Sequence, residues 1–208
     1  MTAMGLYNRY VLPSLLHLSM QAPDVTRLRR RVIPEARGRV LEVGIGSGLN
    51  LPFYGDGVEH VTGIDPSPPL LARAGKAAET ATFMVDLIAG NAEAMDFDTA
   101  SFDTVVSTWT LCSIPDVAAA LVEIRRVLRP DGVFLFIEHG RAGEAPVRAW
   151  QDRLTPLWRR CAGGCHLNRD IAALISAGGL VIGDIDTGYL VHGPRVLTWH
   201  YRGRATPR

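Results

Sequence analysis

The chain has 208 residues, 47% of them hydrophobic and 21% charged, which suits one α/β domain with a substantial core and argues against a second full domain. A formal net charge of +1 and a pI near 7.8 give no bulk electrostatic reason for a nucleic-acid partner, so a small molecule is the expected substrate. Three cysteines, Cys112, Cys161 and Cys165, are too few and odd in number for a disulfide framework. No apolar run reaches membrane-spanning length, and Arg9 and Pro13 break up the N-terminal one, so a cytoplasmic protein without a stable membrane anchor is expected.

In chain order, Leu6 to Met20 spaces Tyr10, Val11, Leu15, Leu16 and Leu18 as an amphipathic helix interrupted at Pro13. Asp24 to Val32 reads as a second helix, whose Arg27, Arg29, Arg30 and Arg31 suggest a solvated face. From Val40 onward short apolar runs alternate with helical patterns, the rhythm of βαβ units feeding a parallel sheet. Strands are expected at Arg39–Val43, Val58–Ile64, Phe83–Ala89, Phe102–Ser107 and Gly132–Ile137. Between them fall helices near Leu49–Tyr54, Ser67–Glu79 and Asp116–Leu128. The last of these starts at Pro115 and Asp116 and carries Arg125, Arg126 and Arg129 near its end, before a Pro130-Asp131-Gly132 turn. Helices at Pro146–Arg160 and Asn168–Ala177 follow, then strands at Leu180–Thr187 and Val196–Arg202 that would close the sheet's edge.

Three alternating glycines follow the first strand in Val40-Leu41-Glu42-Val43-Gly44-Ile45-Gly46-Ser47-Gly48. Without Cβ atoms the chain can turn sharply there and present backbone N–H groups to a ligand, with a helix N-terminus expected beyond. The spacing is G-x-G-x-G, which differs from the G-x-G-x-x-G of dinucleotide-binding proteins and opposes a nicotinamide oxidoreductase. The second strand ends on Asp65, where a carboxylate can accept hydrogen bonds from both hydroxyls of a ribose; a cap for the helix beginning near Ser67 and Pro68 is the competing role.

Taken together, Arg39 to Arg202 resembles the class I S-adenosylmethionine-dependent methyltransferases. Beyond the glycine turn and Asp65, the resemblance is carried by Gly90-Asn91-Ala92-Glu93-Ala94-Met95, where the family usually has Asp at the Asn91 position. Ser101-Phe102-Asp103-Thr104-Val105-Val106 and Leu128-Arg129-Pro130-Asp131-Gly132-Val133 complete the set, all in family order. The likeness implies a Rossmann-like, doubly wound, seven-stranded sheet, mostly parallel with an antiparallel last strand and helices on both faces. Residues 1–208 would form a single methyltransferase domain, with an N-terminal helical cap or lid over 1–36, a cofactor-binding core over 37–140 and substrate-side helices and closing strands over 141–208. It further implies that Glu42, Gly44, Gly46, Ser47 and Gly48 border the methionine part of S-adenosylmethionine, Asp65 the ribose, and Pro66, Ser67, Asn91 and Ala92 the adenine. Thr108 and Trp109 would lie near the sulfonium, Trp109 offering its ring face unless it is simply a core residue.

Methyl transfer is an in-line displacement that relies on alignment and exclusion of water, and a hydroxyl or ammonium acceptor benefits from a base, whereas a thiol near pKa 8.5 is already partly ionised. Glu138 and His139, at the carboxyl end of the fifth strand, are the candidate catalytic pair, ahead of His166 and His192. A purely structural histidine is the competing reading of His139. Cys161-Ala162-Gly163-Gly164-Cys165-His166 lacks a second ligand pair, so no metal site is expected.

The segments Thr110-Leu111-Cys112-Ser113-Ile114, Ile137-Glu138-His139 and Gly164-Cys165-His166-Leu167-Asn168-Arg169, with Trp150, Gln151 and Trp158, are similar to the thiol S-methyltransferase branch. That likeness implies a small thiol acceptor, with a lipid-like, quinone-like or phenolic acceptor as the alternative. Tyr7 and Tyr10, Cys112 and His166 become candidate substrate contacts. A cofactor-binding regulator without catalysis is the non-enzyme alternative.

Overall fold

The computed structural model describes Tyr7 and residues 11–208. Tyr10 and most of the segment before Val11 lie outside the described residues. The first described helix is α1 (Leu12–Ser19), in which Pro13 sits in the opening turn, where its missing N–H costs nothing. Pro13 therefore fits the start of this helix; most of the segment in which an interruption at Pro13 was expected lies outside the described residues. Helix α2 (Pro23–Val32) also opens on proline and runs through a short 3₁₀ turn, Ile33–Glu35, into strand β1 (Gly38–Val43).

The glycine turn after β1 leads to a 3₁₀ turn, Leu51–Phe53, and no α-helix forms at the expected Leu49–Tyr54. Pro52 supplies no N–H, Gly55 and Gly57 follow closely, and Tyr54 adopts an extended backbone that brings its hydroxyl back to Glu42. Then come β2 (Val58–Asp65), α3 (Pro68–Ala78), β3 (Met84–Ala89), β4 (Phe102–Thr108) and α4 (Val117–Val127). Asp116 caps α4 by accepting the Ala119 N–H.

Strand β5 (Leu128–His139) pairs with β4, with Phe102 opposite Leu128 and Thr104 opposite Val133. The Arg-Pro-Asp-Gly turn is therefore looped out of the ladder opposite Asp103, which pairs with Arg129. The chain ends with α5 (Ala145–Cys161), α6 (Ile171–Ala177, capped by Asp170), β6 (Leu180–Tyr189) and β7 (Trp199–Pro207). Strand β7 starts later than Val196 because Arg195–Leu197 forms a 3₁₀ turn.

Seven strands form one sheet in the order β3-β2-β1-β4-β5-β7-β6, parallel except for β7, which runs antiparallel to both neighbours. Alternation along the central strands fills both faces. Leu41, Val43, Val105, Phe134 and Phe136 pack with Leu121 and Ile124 of α4 and Ile171 and Ile175 of α6. Val40, Val61, Val106, Leu135 and Ile137 pack with Leu28 and Val32 of α2 and the Leu51 turn. The chain moves outward from β1 to β3, then returns to β4 on β1's other side. That reversal parts the loops at the carboxyl ends of β1 and β4 and leaves the crevice in which α/β sheets bind ligands.

Candidate functional site

A cavity of about 650 Å³ opens at this switch point, within the range of roughly 300–1,000 Å³ usual for small-molecule sites. The glycine turn forms one wall. Gly44, Gly46 and Gly48 all have positive φ, and the Gly46 N–H donates to Asp65 Oδ2 while Ser67 N–H donates to Oδ1. Asp65 thus serves the turn and the entry to α3 as well as facing the cavity, and burial pushes its carboxyl pKa up.

A Cβ on Gly46 would meet open space, whereas one on Gly44 would collide with the Thr110 side chain. Gly48 does not line the cavity; it lets the turn approach Ala74 and Ala77 of α3. Pro66, Asn91 and Ala92 line the far side of the same wall, and the Asn91 side chain accepts the Glu93 N–H. Along this wall the Asp65 carboxylate faces the cavity between the glycine turn and Asn91, and a Cβ at Gly46 or Gly90 would meet no neighbour closer than 4.0 Å, which leaves the backbone there open to close approach.

Beneath the turn lies a polar network. Glu42 Oε1 accepts from Asn50 Nδ2 at 2.8 Å and Oε2 from the Tyr54 hydroxyl at 2.7 Å. Asn50 also donates to Thr108 Oγ1 and accepts from Arg29 Nε. Burial raises the Glu42 pKa to about 7, opposed by the Tyr54 and Asn50 hydrogen bonds and by Arg29. Arg29 is buried, holds the Met20 carbonyl and lies 4.9 Å from the centre of the Trp109 ring. Arg27, Arg30 and Arg31 are exposed, as expected of a solvated face, whereas Arg29 departs from it: Arg29 shares its helical face with Val25 and Val32, and that spacing was the available signal.

Trp109 lines the cavity in a left-handed backbone conformation, φ 53°, and its indole nitrogen is buried without a hydrogen-bond partner among the described residues. The cation at its ring face in this structure is Arg29.

The opposite wall carries the residues expected to face the acceptor. Cys112 and His139 line the cavity, joined by Cys165, Trp158 and His200, which were not expected there. The ring centres of His139 and His200 are 5.6 Å apart, and burial lowers the His200 pKa to about 4. Glu138 and His166 do not line the cavity. His166 points its Nδ1 at the Cys112 carbonyl, 3.1 Å away, and His192 pairs with Asp24 at the surface.

Glu138 is fully buried below the loop after β4, its Oε1 accepting from the Ser107 hydroxyl at 2.7 Å and the Thr110 N–H at 3.2 Å. The geometry gives Glu138 the role of shaping that loop. Burial raises its pKa to about 7 against hydrogen bonds from Ser107 and the loop backbone. The folded protein then holds a proton on Glu138 that the unfolded chain, with its ordinary carboxylate near 4.5, has lost. Stability therefore falls as pH rises from about 4.5 to about 7, by up to about 3 kcal/mol from this group. Glu138→Gln should raise the melting temperature near pH 8 and leave it almost unchanged near pH 4.5, with the residual slope due to Glu42; parallel wild-type and variant melting curves across this range would refute it.

Helix α1 covers the cavity from above with Leu12, Pro13, Leu16 and His17. It is tied down by a 2.7 Å hydrogen bond between His17 Nδ1 and the Ser47 hydroxyl and by Arg73 of α3, which donates to the Ser14 hydroxyl at 2.8 Å. Tyr7 does not line the cavity; its hydroxyl donates to the Cys161 carbonyl at the end of α5. His17 was not singled out from the sequence, although it lies on the same helical face as Pro13 and Met20. Among the described residues no cluster of three or more His, Cys, Asp or Glu side chains could hold a metal ion, and no helix is long and apolar enough to cross a membrane.

A parallel sheet with an antiparallel penultimate position, a glycine turn, an acid ending β2 and a cavity at the switch point define a Rossmann-like fold of the kind seen in solved methyltransferases. Residues 41–136 match the model of the family described as Methyltransferase domain. Thiol S-methyltransferase TMT1A of Homo sapiens is 36% identical over 141 residues, which cover 66% of this chain and 57% of the relative. Phosphatidylethanolamine N-methyltransferase of Cereibacter sphaeroides is 37% identical over 119 residues, 56% of this chain and 58% of the relative. The chain thus spans little more than half the length of the curated relatives it matches. The solved structure of a SAM-dependent methyltransferase from Methanosarcina mazei shares the fold with a TM-score of 0.65 at 20% identity, over 81% of this chain and 92% of that one.

Proposed function

We propose that this protein transfers a methyl group from S-adenosylmethionine to a small apolar thiol. The observation that carries the reading is one cavity whose first wall is the glycine turn with Asp65 and Asn91, and whose second is an acceptor wall of Cys112, His139 and Cys165. Gly46 and Asp65 would hold the methionine and ribose portions, with Asn91 and Ala92 at the adenine. When bound, the cofactor supplies an electrophilic methyl carbon on a sulfonium. The protein's own work is to align the acceptor, exclude water with α1 as a lid and accept a proton. The relatives named as thiol S-methyltransferases support a thiol acceptor.

A lipid-like acceptor is the second reading, favoured by the apolar cover that Leu12, Leu16 and Ile114 give the cavity and by the phosphatidylethanolamine-methylating relative. Incubation with methyl-labelled cofactor and parallel panels of alkyl thiols, phenols, quinols and aminophospholipids decides between them. The expected product is a labelled thioether. Labelled oxygen or nitrogen products without any thioether would overturn the thiol reading.

A further inference from the structure

Cys165 stands in the loop after α5, far in sequence from the strand ends, yet it lines the cavity beside His139. Its Sγ is 3.6 Å from His139 Nδ1, and Cys112 lines the same cavity with its own thiol directed at the Trp109 carbonyl and the Ser113 hydroxyl. Trp158 lines the cavity with Cys165, its indole N–H buried without a partner among the described residues. Further out, His166 and Arg169 bear on it electrostatically. These groups favour negative charge at this sulfur and no carboxylate contacts it. The pKa of Cys165 is lowered, first by the neighbouring Cys112 thiol and then by His139, while that of Cys112 is raised by its neighbour and by burial. Of the two thiols, Cys165 is the one whose ionised form its surroundings favour.

On the other side of the ring, His139 Nε2 is buried with no partner among the described residues. An imidazole whose Nδ1–H is held by an anion has an unprotonated Nε2, and a buried, unpartnered acceptor is costly unless a ligand fills it. We propose that Cys165 is a positioning residue: as a thiolate it accepts the His139 Nδ1–H and fixes Nε2 as the proton acceptor for the methyl acceptor. This inference rests on the thiol reading. In the step it supports, the acceptor S–H bond breaks, the proton forms a new bond to His139 Nε2, and the electron pair stays on the acceptor sulfur. Cys165 keeps its charge throughout, and the proton then leaves Nε2 for solvent. The sulfur here takes the place that a carboxylate holds beside many catalytic histidines.

The test combines heteronuclear NMR of histidine-labelled protein with kinetics of Cys165→Ser and Cys165→Asp. In the wild type the His139 resonances, assigned with His139→Gln, should show the Nδ1–H tautomer without any ligand present. Cys165→Ser should lose that tautomer preference. It should lower kcat on an alkyl thiol by about 10²-fold with little change in KM, and move the acid limb of the rate profile to lower pH, because an anion beside the ring has gone. Cys165→Asp should restore both the tautomer and the position of the limb, which a purely structural cysteine would not allow. An unchanged tautomer and unchanged turnover in Cys165→Ser would overturn the proposal. If the tautomer depends on Cys165 while only non-thiol acceptors turn over, the thiol reading fails and the positioning role stands.

Discussion

Asp65→Ala is expected to weaken binding of S-adenosylmethionine and S-adenosylhomocysteine by about 10²-fold or more, measured by titration calorimetry. Hydrogen bonds to a charged group contribute about 1.5–3 kcal/mol each, so losing two ribose bonds accounts for about 3 kcal/mol. The variant also strips partners from the Gly46 and Ser67 N–H groups, which loosens the turn that the ligand must approach. Asp65→Asn separates the two effects. Its amide oxygen keeps the two hydrogen-bond roles of one carboxylate oxygen, and its binding should fall between those of wild type and Asp65→Ala. Wild-type affinity in Asp65→Ala would remove Asp65 from the cofactor site.

Gly44→Ala and Gly46→Ala, two substitutions in one turn, should fail in different ways. Both positions have positive φ, which costs a residue with a Cβ about 1–2 kcal/mol. At Gly44 the methyl also collides with the Thr110 side chain, adding about 1–3 kcal/mol of overpacking. Gly44→Ala should therefore show the larger fall in melting temperature, partly recovered by adding Thr110→Gly. At Gly46 the methyl enters open space, so the fold loses only the strain, and the loss appears in cofactor affinity. Equal melting temperatures for the two single variants would contradict this division.

The central strands were legible because short apolar runs between turn residues, alternating with helical patterns, specify a buried parallel sheet with little help from the rest of the chain. The glycine turn and Asp65 were legible for the same reason, since their roles follow from local spacing. The helix expected after the turn was not found, because Pro52 and the return of Tyr54 to Glu42 outweigh an apolar pattern of only a few residues. Arg29 was hidden among neighbouring arginines, its distinct role set by the face it shares with Val25 and Val32. The acceptor wall was the least legible part. His139 sits at a strand end where position alone suggests function, but Cys165 reaches it from a loop, and His200 comes from the antiparallel strand inserted beside β5. Such meetings depend on topology that no local pattern encodes. Glu138 looked like a partner of His139 because the two are adjacent in sequence, yet successive strand residues point to opposite faces of the sheet.

Thr110 touches both halves of the cavity's frame: its side chain rests against Gly44, and its backbone N–H is held by Glu138. The glycine turn and the loop after β4 are thus in direct contact, so a shift of one bears on the other. Linkage then applies in both directions. Whatever factor the first ligand contributes to the affinity of the second is returned unchanged when the order is reversed, so the two dissociation constants of this protein are conditional quantities, each defined only at a stated occupancy of the other subsite.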